Sequence, residues 1–238
     1  MNKESILFGL IGLVAGTVLG FMYANSINRS DAVKSAETNV PAMTQNAEMP
    51  AGHPTVTGNN PTVEQMEKIP EVQKALEQAK AEPGNFDAQM KAAGVNYQIG
   101  KYDAAIEILL KANTLKPEAA EPLIMLGNAY YDMNKYADAE KWYLKALEKK
   151  PKDVSVLNDL GLTYVLREPA NYDRAIQEFN KSLAIDPNQV KTMQNLTVAL
   201  AKKGDLAAAR TTLAKIETAD PTNTAIPQLK ELVNGAGK

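Results

Sequence analysis

The sequence predicts an all-α fold. It is an α-solenoid of about four helix–turn–helix repeats with helical caps at both ends, preceded by a transmembrane helix and a flexible linker. Three observations carry that expectation. Pro83, Pro117, Pro151, Pro187 and Pro221 stand 34, 34, 36 and 34 residues apart, a period that marks stacked supersecondary units. Between consecutive prolines, two stripes of apolar residues recur at helical spacing. Residues 5–24, "SILFGLIGLVAGTVLGFMYA", carry no charge at all.

Residues 1–4 form a short tail, and residues 5–24 follow as the anchor. A helix of that length spans about 30 Å, the thickness of the hydrocarbon core of a bilayer. The run is longer than the apolar core of a secretory signal, which favours an uncleaved anchor. The competing reading is a signal peptide cleaved after Ser26, with Ala24 and Ser26 as the small residues of the site. Gly12, Gly16 and Gly20 fall four apart, a spacing that lets two transmembrane helices approach closely and self-associate. Lys3 on one side against Arg29 and Lys34 on the other decides orientation only weakly. The expected localisation is a single-pass membrane protein with its carboxyl-terminal domain outside the cytoplasm.

Residues 25–61 read as a flexible linker, rich in Asn, Thr, Pro and Ala and too poor in large apolar side chains to offset the entropy of ordering. Such a tether reaches roughly 30–35 Å. Residues 62–83 are an amino-terminal helical cap, with a short stretch near 62–69 and a longer helix at 71–81 separated by Pro70.

The repeats occupy 84–117, 118–151, 152–187 and 188–221. With Ala120 as position 1, the second has Leu123 at 4, Leu126 at 7, Gly127 at 8, Tyr130 at 11, Ala139 at 20, Tyr143 at 24, Ala146 at 27 and Pro151 at 32. The third gives Leu157, Leu160, Gly161, Tyr164, Ala175, Phe179, Ser182 and Pro187, with two extra residues in the loop Arg167 to Asn171. That loop is either neutral drift or a distinct contact point. The fourth gives Met193, Leu196, Thr197, Leu200, Ala209, Leu213, Ile216 and Pro221. The first is looser, with Ala93, Asn96, Ala105, Leu109, Ala112 and Pro117. Small residues at positions 8 and 20 let paired helices approach, and the recurrent proline ends each second helix. Gly100, Asn134 and Gly204 suit left-handed turns between helices. Asp153 is placed to cap the helix that follows it.

These spaced constraints resemble the tetratricopeptide repeat (TPR) family over about residues 84–221. The resemblance implies two helices per repeat, a right-handed superhelix, and a concave face made by the first helix of each pair. Residues 222–238 then close the stack. There Thr224 is the expected helix cap, Gly235 the stop, and Ile226, Leu229 and Leu232 the covering residues.

Composition narrows the function classes. A net charge of −2 with no basic run leaves no footprint for nucleic acid. The chain lacks cysteine, and its one histidine, His53, sits in the linker without neighbours that could complete a metal site. No nucleophile–base pair or phosphate loop can be assembled, and Glu140, among lysines, reads as part of a solvated helix face. No enzymatic activity and no cofactor are expected. The resemblance instead points to a protein or peptide partner on the concave face, lined by Met90, Tyr97, Ile124, Asn128, Tyr131, Asn158, Leu162, Val165, Gln194 and Val198. The carboxylate clamp of some family members is matched only at Asn128 and Lys202, with Asp132 and Leu166 where a base would help.

The expected function is that of a membrane-tethered scaffold or adaptor, a layout that resembles bacterial assembly factors for envelope complexes. The alternative is a secreted or periplasmic protein with a structural or chaperone-like holding role.

Overall fold

The computed structural model describes residues 63–235. Among them are eleven α-helices and no strand. Two helices precede the repeats, α1 (Val63–Glu67) and α2 (Pro70–Ala81). The four pairs are α3 (Phe86–Gln98) with α4 (Tyr102–Leu115), α5 (Glu121–Asp132) with α6 (Tyr136–Lys149), α7 (Val154–Leu166) with α8 (Tyr172–Ile185), and α9 (Val190–Lys203) with α10 (Leu206–Ala219). Helix α11 (Ile226–Gly235) ends the stack. The anchor, its glycines and the linker expected at residues 5–61 lie outside the described residues. Within those residues no helix is long and apolar enough to cross a membrane.

Local signals act where the sequence places them. Each second helix, like α2, stops two residues before its proline, which cannot supply the next N–H. Gly100 (φ 79°), Asn134 (φ 58°) and Gly204 (φ 92°) turn the chain between paired helices in the left-handed region. The Asp153 carboxylate accepts from the Val156 N–H at 3.1 Å and caps α7. Pro122 lies in the first turn of α5, where a missing N–H costs nothing.

Packing follows the repeat register. Ala93, Ala105, Leu109 and Ala112 in the first pair are buried, as are Leu123, Leu126, Ala139, Tyr143 and Ala146 in the second. In the third and fourth, Leu157, Leu160, Tyr164, Ala175, Phe179, Met193, Leu196, Ala209, Leu213 and Ile216 are buried as well. Tyr130 is only half-buried. Position 8 is matched in size to position 24. A Cβ on Gly127 would stand 2.5 Å from the Tyr143 ring, and one on Gly161 would stand 2.4 Å from that of Phe179. Where position 8 carries a side chain, as at Ala93 and Thr197, position 24 is a leucine, Leu109 or Leu213. The first helices thus sit close enough to their partners to seal the core without large side chains on both sides.

Most helices contact only their neighbours along the stack, so the core is a continuous seam rather than a centre. At the third and fourth repeats the first helices also meet: α9 packs on α7 as well as on α8 and α10.

Two details at the carboxyl end differ from expectation. The side chain that accepts from the start of the last segment is Asn223, whose Oδ1 takes the Ala225 N–H at 3.0 Å, and not Thr224. The buried face of α11 is Ile226, Leu229 and Val233, with Leu232 half-exposed. The buried positions fall at i, i+3 and i+7 of one helical stripe, and Leu232, at i+6, lies off that line.

Candidate binding surface

The inner surface is built by α3, α5, α7 and α9, which present positions 5, 9 and 12 of each repeat. Met90, Tyr97, Ile124, Asn128, Val165, Gln194 and Val198 are half-buried there, packed at the base and open at the tip. Three of the residues expected on this face are not available. Tyr131, Asn158 and Leu162 retain 4%, 5% and 1% of their surface. Asn158 bonds across to the next first helix, Tyr131 packs on Tyr136 of its own repeat, and Leu162 is buried within the stack.

The polar groups of this face are largely used to fix its own shape. The Tyr97 hydroxyl donates to the Asp132 carboxylate, tying α3 to α5, and the Tyr97 ring stands edge-on to Tyr102 at 5.5 Å. Tyr131 packs edge-on against Tyr136 at 5.5 Å. Asn128 Oδ1 accepts from the Tyr143 hydroxyl at 2.8 Å, which orients its amide from below. Gln194 Nε2 donates to Asn223 Oδ1 at 2.7 Å, joining α9 to the turn before α11. Asp132 is thus a carboxylate engaged by a tyrosine at a point where a terminal-carboxylate clamp needs a cation. The face presents apolar patches with amide edges.

A buried polar seam lies beneath it. Asn158 Oδ1 accepts from Thr192 Oγ1 at 3.2 Å and from Asn195 Nδ2 at 2.9 Å, across the boundary between the third and fourth repeats. Ser182 Oγ donates to the Val154 carbonyl at 3.0 Å and meets Gln189 Oε1 at the same distance. Directional bonds of this kind are lost if the two repeats slip, so the joint holds one register. Asn195, the first residue of an N-L-T triplet, is buried in this seam.

Sequence reasoning missed a second polar cluster. Glu140 is not on a solvated face: its side chain is 17% exposed. Its carboxylate accepts from Arg167 at 2.8 Å, from the Tyr164 hydroxyl at 3.0 Å and from Arg174 at 3.4 Å. Burial pushes the Tyr164 hydroxyl above the ordinary tyrosine range; Arg174 opposes that shift and Glu140 reinforces it. The two extra residues of the third repeat therefore sit behind Arg167, which ties the loop to α6. The partners lie 24 to 34 positions apart in sequence. The available signal was the pair of arginines flanking an insertion, not any i, i+4 spacing.

Among the described residues no group of three or more His, Cys, Asp or Glu is placed to hold a metal ion. Comparison with known proteins finds the same kind of repeat. Family models described as "TPR repeat" and "Tetratricopeptide repeat" match residues 127–167, 166–232 and 69–120. Among solved structures, a crystal structure of MamA is 24% identical over 63% of this chain and 86% of its own, with a TM-score of 0.59. MamA from residue 41 onward, from Desulfovibrio magneticus RS-1, is 20% identical over 64% of this chain and 85% of its own, with a TM-score of 0.59. YrrB, described as a TPR protein with an unusual peptide-binding site, is 17% identical over 70% of this chain and 92% of its own, with a TM-score of 0.54. Identities this low speak to the fold.

Proposed function

Residues within 69–232 are tetratricopeptide repeats, and from that premise we propose that the protein is a membrane-tethered adaptor. It docks an extended or helical segment of a protein partner on the face of α3, α5, α7 and α9. One observation carries the reading: a row of half-buried apolar side chains, Met90, Ile124, Val165 and Val198, runs along one face of a rigid stack. Amide edges from Asn128 and Gln194 are interspersed with them. Such a row offers shallow pockets to alternate side chains of a partner, with little conformational entropy to lose on binding. A solved relative of the same fold is described as peptide-binding, which supports the assignment by analogy. The uncharged run of residues 5–24 supplies the anchor and residues 25–61 the reach, so that even modest affinity suffices for partners held at the same membrane. The repeats lie outside the cytoplasm in this proposal.

Photo-crosslinkers placed at Ile124 and at Val198 in the full chain in its membranes test the docking face. They are expected to capture a protein that crosslinkers at Lys111 and Lys181, on second helices, do not. Equal capture from both pairs would remove the inner face as the site. Carbonate washing tests the tether separately: the chain should stay with the membrane, and release of a species lacking residues 1–26 would establish the secreted alternative.

A further inference from the structure

A second site lies on the other side of the stack, independent of the inner face. Consecutive second helices make no extensive contact with one another, so side chains line an outer gap between them. Three such gaps can be compared. Over α5, Trp142 at position 23 packs against the core of the first two repeats, and Lys145 lies over its ring at 4.3 Å. Over α7 the same position is Glu178, which pairs with Lys181 at 2.8 Å. Tyr164 and Arg174 complete that filling by reaching Glu140 on α6.

Over α9 the filling is missing. Leu200 stands where Tyr164 stands, Ala208 where Arg174 stands, and Thr212 where Glu178 stands. What remains is a cleft of about 520 Å³ between α8 and α10, floored by Met193, Leu196 and Leu200. The lysine is retained: Lys215 occupies the place of Lys145 and Lys181 and lines the cleft. Its own helix offers it no acid at the facing positions, since the residues three and four positions on either side are Thr211, Thr212, Thr218 and Ala219. Glu178 on α8 pairs with Lys181, and Glu217, two positions further along α10, pairs with Lys230 at 2.7 Å. In the two preceding gaps an aromatic ring or a carboxylate, each supplied by the chain itself, meets this lysine.

We propose that the α8–α10 cleft is a docking site for a protein segment carrying a bulky apolar side chain next to an acidic one. The partner's apolar group takes the volume that Tyr164 and Trp142 fill in the earlier gaps, and its carboxylate meets Lys215. Volume and charge complementarity argue for the same occupant. An apolar floor alone would accept any greasy side chain, and the lone ammonium group selects the acidic one.

The test uses the full chain in detergent, labelled with 13C at its methionine methyl groups. Met193 reports the cleft and Met90 the inner face. The probe is a fluorescein-labelled peptide with a leucine–phenylalanine centre flanked by glutamates, and its counterpart has lysines in place of the glutamates. The glutamate peptide is expected to shift the Met193 methyl and leave Met90 in place. It should bind at least about fivefold more tightly than the lysine peptide. Lys215→Glu, at an exposed position where folding is not at stake, should reverse that preference. Thr212→Glu, which gives Lys215 the carboxylate that Glu178 gives Lys181, should abolish the preference. Equal binding of the two peptides, a shift at Met90 in place of Met193, or no shift up to about 1 mM peptide would each overturn the assignment. None of these outcomes bears on crosslinking at Ile124, so the two sites stand or fall separately.

Discussion

Gly161 tests the packing logic at its tightest point. An alanine Cβ there would lie 2.4 Å from Cε1, 2.7 Å from Cδ1 and 2.9 Å from Cζ of Phe179. Carbon atoms in van der Waals contact sit about 3.5–4.0 Å apart, so three ring atoms are each short by roughly 1 Å. Phe179 is fully buried, and its ring has no open side to turn into. Relief must come from separating α7 from α8 or from an off-rotamer ring, at about 1–3 kcal/mol. Alanine recovers up to about 1 kcal/mol through its better helix propensity. The net expectation for Gly161→Ala is a loss of about 1–2 kcal/mol, or roughly 2–8 °C in melting temperature for a domain of this size.

The structure also says how to rescue it. The first and fourth repeats combine a side chain at position 8 with leucine at position 24. Phe179→Leu alone leaves a small void and costs about 1 kcal/mol. Combined with Gly161→Ala it should cost less than the sum, with a coupling of about 1 kcal/mol. Thermal and urea unfolding of the full chain, followed by far-ultraviolet circular dichroism, gives all four corners of the cycle. A Gly161→Ala protein that melts with wild type, or strictly additive losses, would show that the ring is not what confines residue 161 to hydrogen.

Ala139→Leu places a large side chain at a fully buried close-approach site and should cost about 1–3 kcal/mol in the same unfolding assay. Glu140→Ala strips the acceptor from the Tyr164 hydroxyl and from Arg167; a loss of about 1–2 kcal/mol is expected, the exposed Arg174 adding little. Hydrogen exchange should quicken across residues 167–171 in that variant. Alkaline pH should act through Tyr164. Its folded pKa is raised by burial, so its contribution is complete below the ordinary tyrosine value of about 10 and drains away as pH rises through that value toward the folded one. Melting temperature against pH should fall there in wild type and fall less in Tyr164→Phe.

The repeat was legible because its constraints are local and recur: a proline that cannot extend a helix, a glycine or asparagine at a left-handed turn, and two apolar stripes at helical spacing. The residues of the inner face were legible only in part. A template that assigns positions 5, 9 and 12 to solvent takes every joint as equally open. Here Tyr131, Asn158 and Leu162 are buried, Asn158 by hydrogen bonds to the next first helix and Tyr131 against Tyr136 of its own repeat. Glu140 escaped for a different reason. Its neighbours on α6 include lysines, and only the three-dimensional stack brings Tyr164, Arg167 and Arg174 onto it. At the carboxyl end, residue types alone did not distinguish Thr224 from Asn223 as an acceptor, nor Leu232 from Val233 as the covering residue, because each pair offers the same chemistry one position apart.

The seam between Asn158, Thr192 and Asn195 stiffens the stack. Oriented bonds make a link bend less than non-directional contact alone would, and here they cross each joint in turn, from Tyr97 to Asp132, from Tyr164 and Arg167 to Glu140, and from Asn195 to Asn158. Force entering from the amino-terminal side would be passed along the four pairs and not taken up as flexure at one of them. The outer α8–α10 cleft lies over the joint whose bonds are buried, so its width would hold steady under such a load.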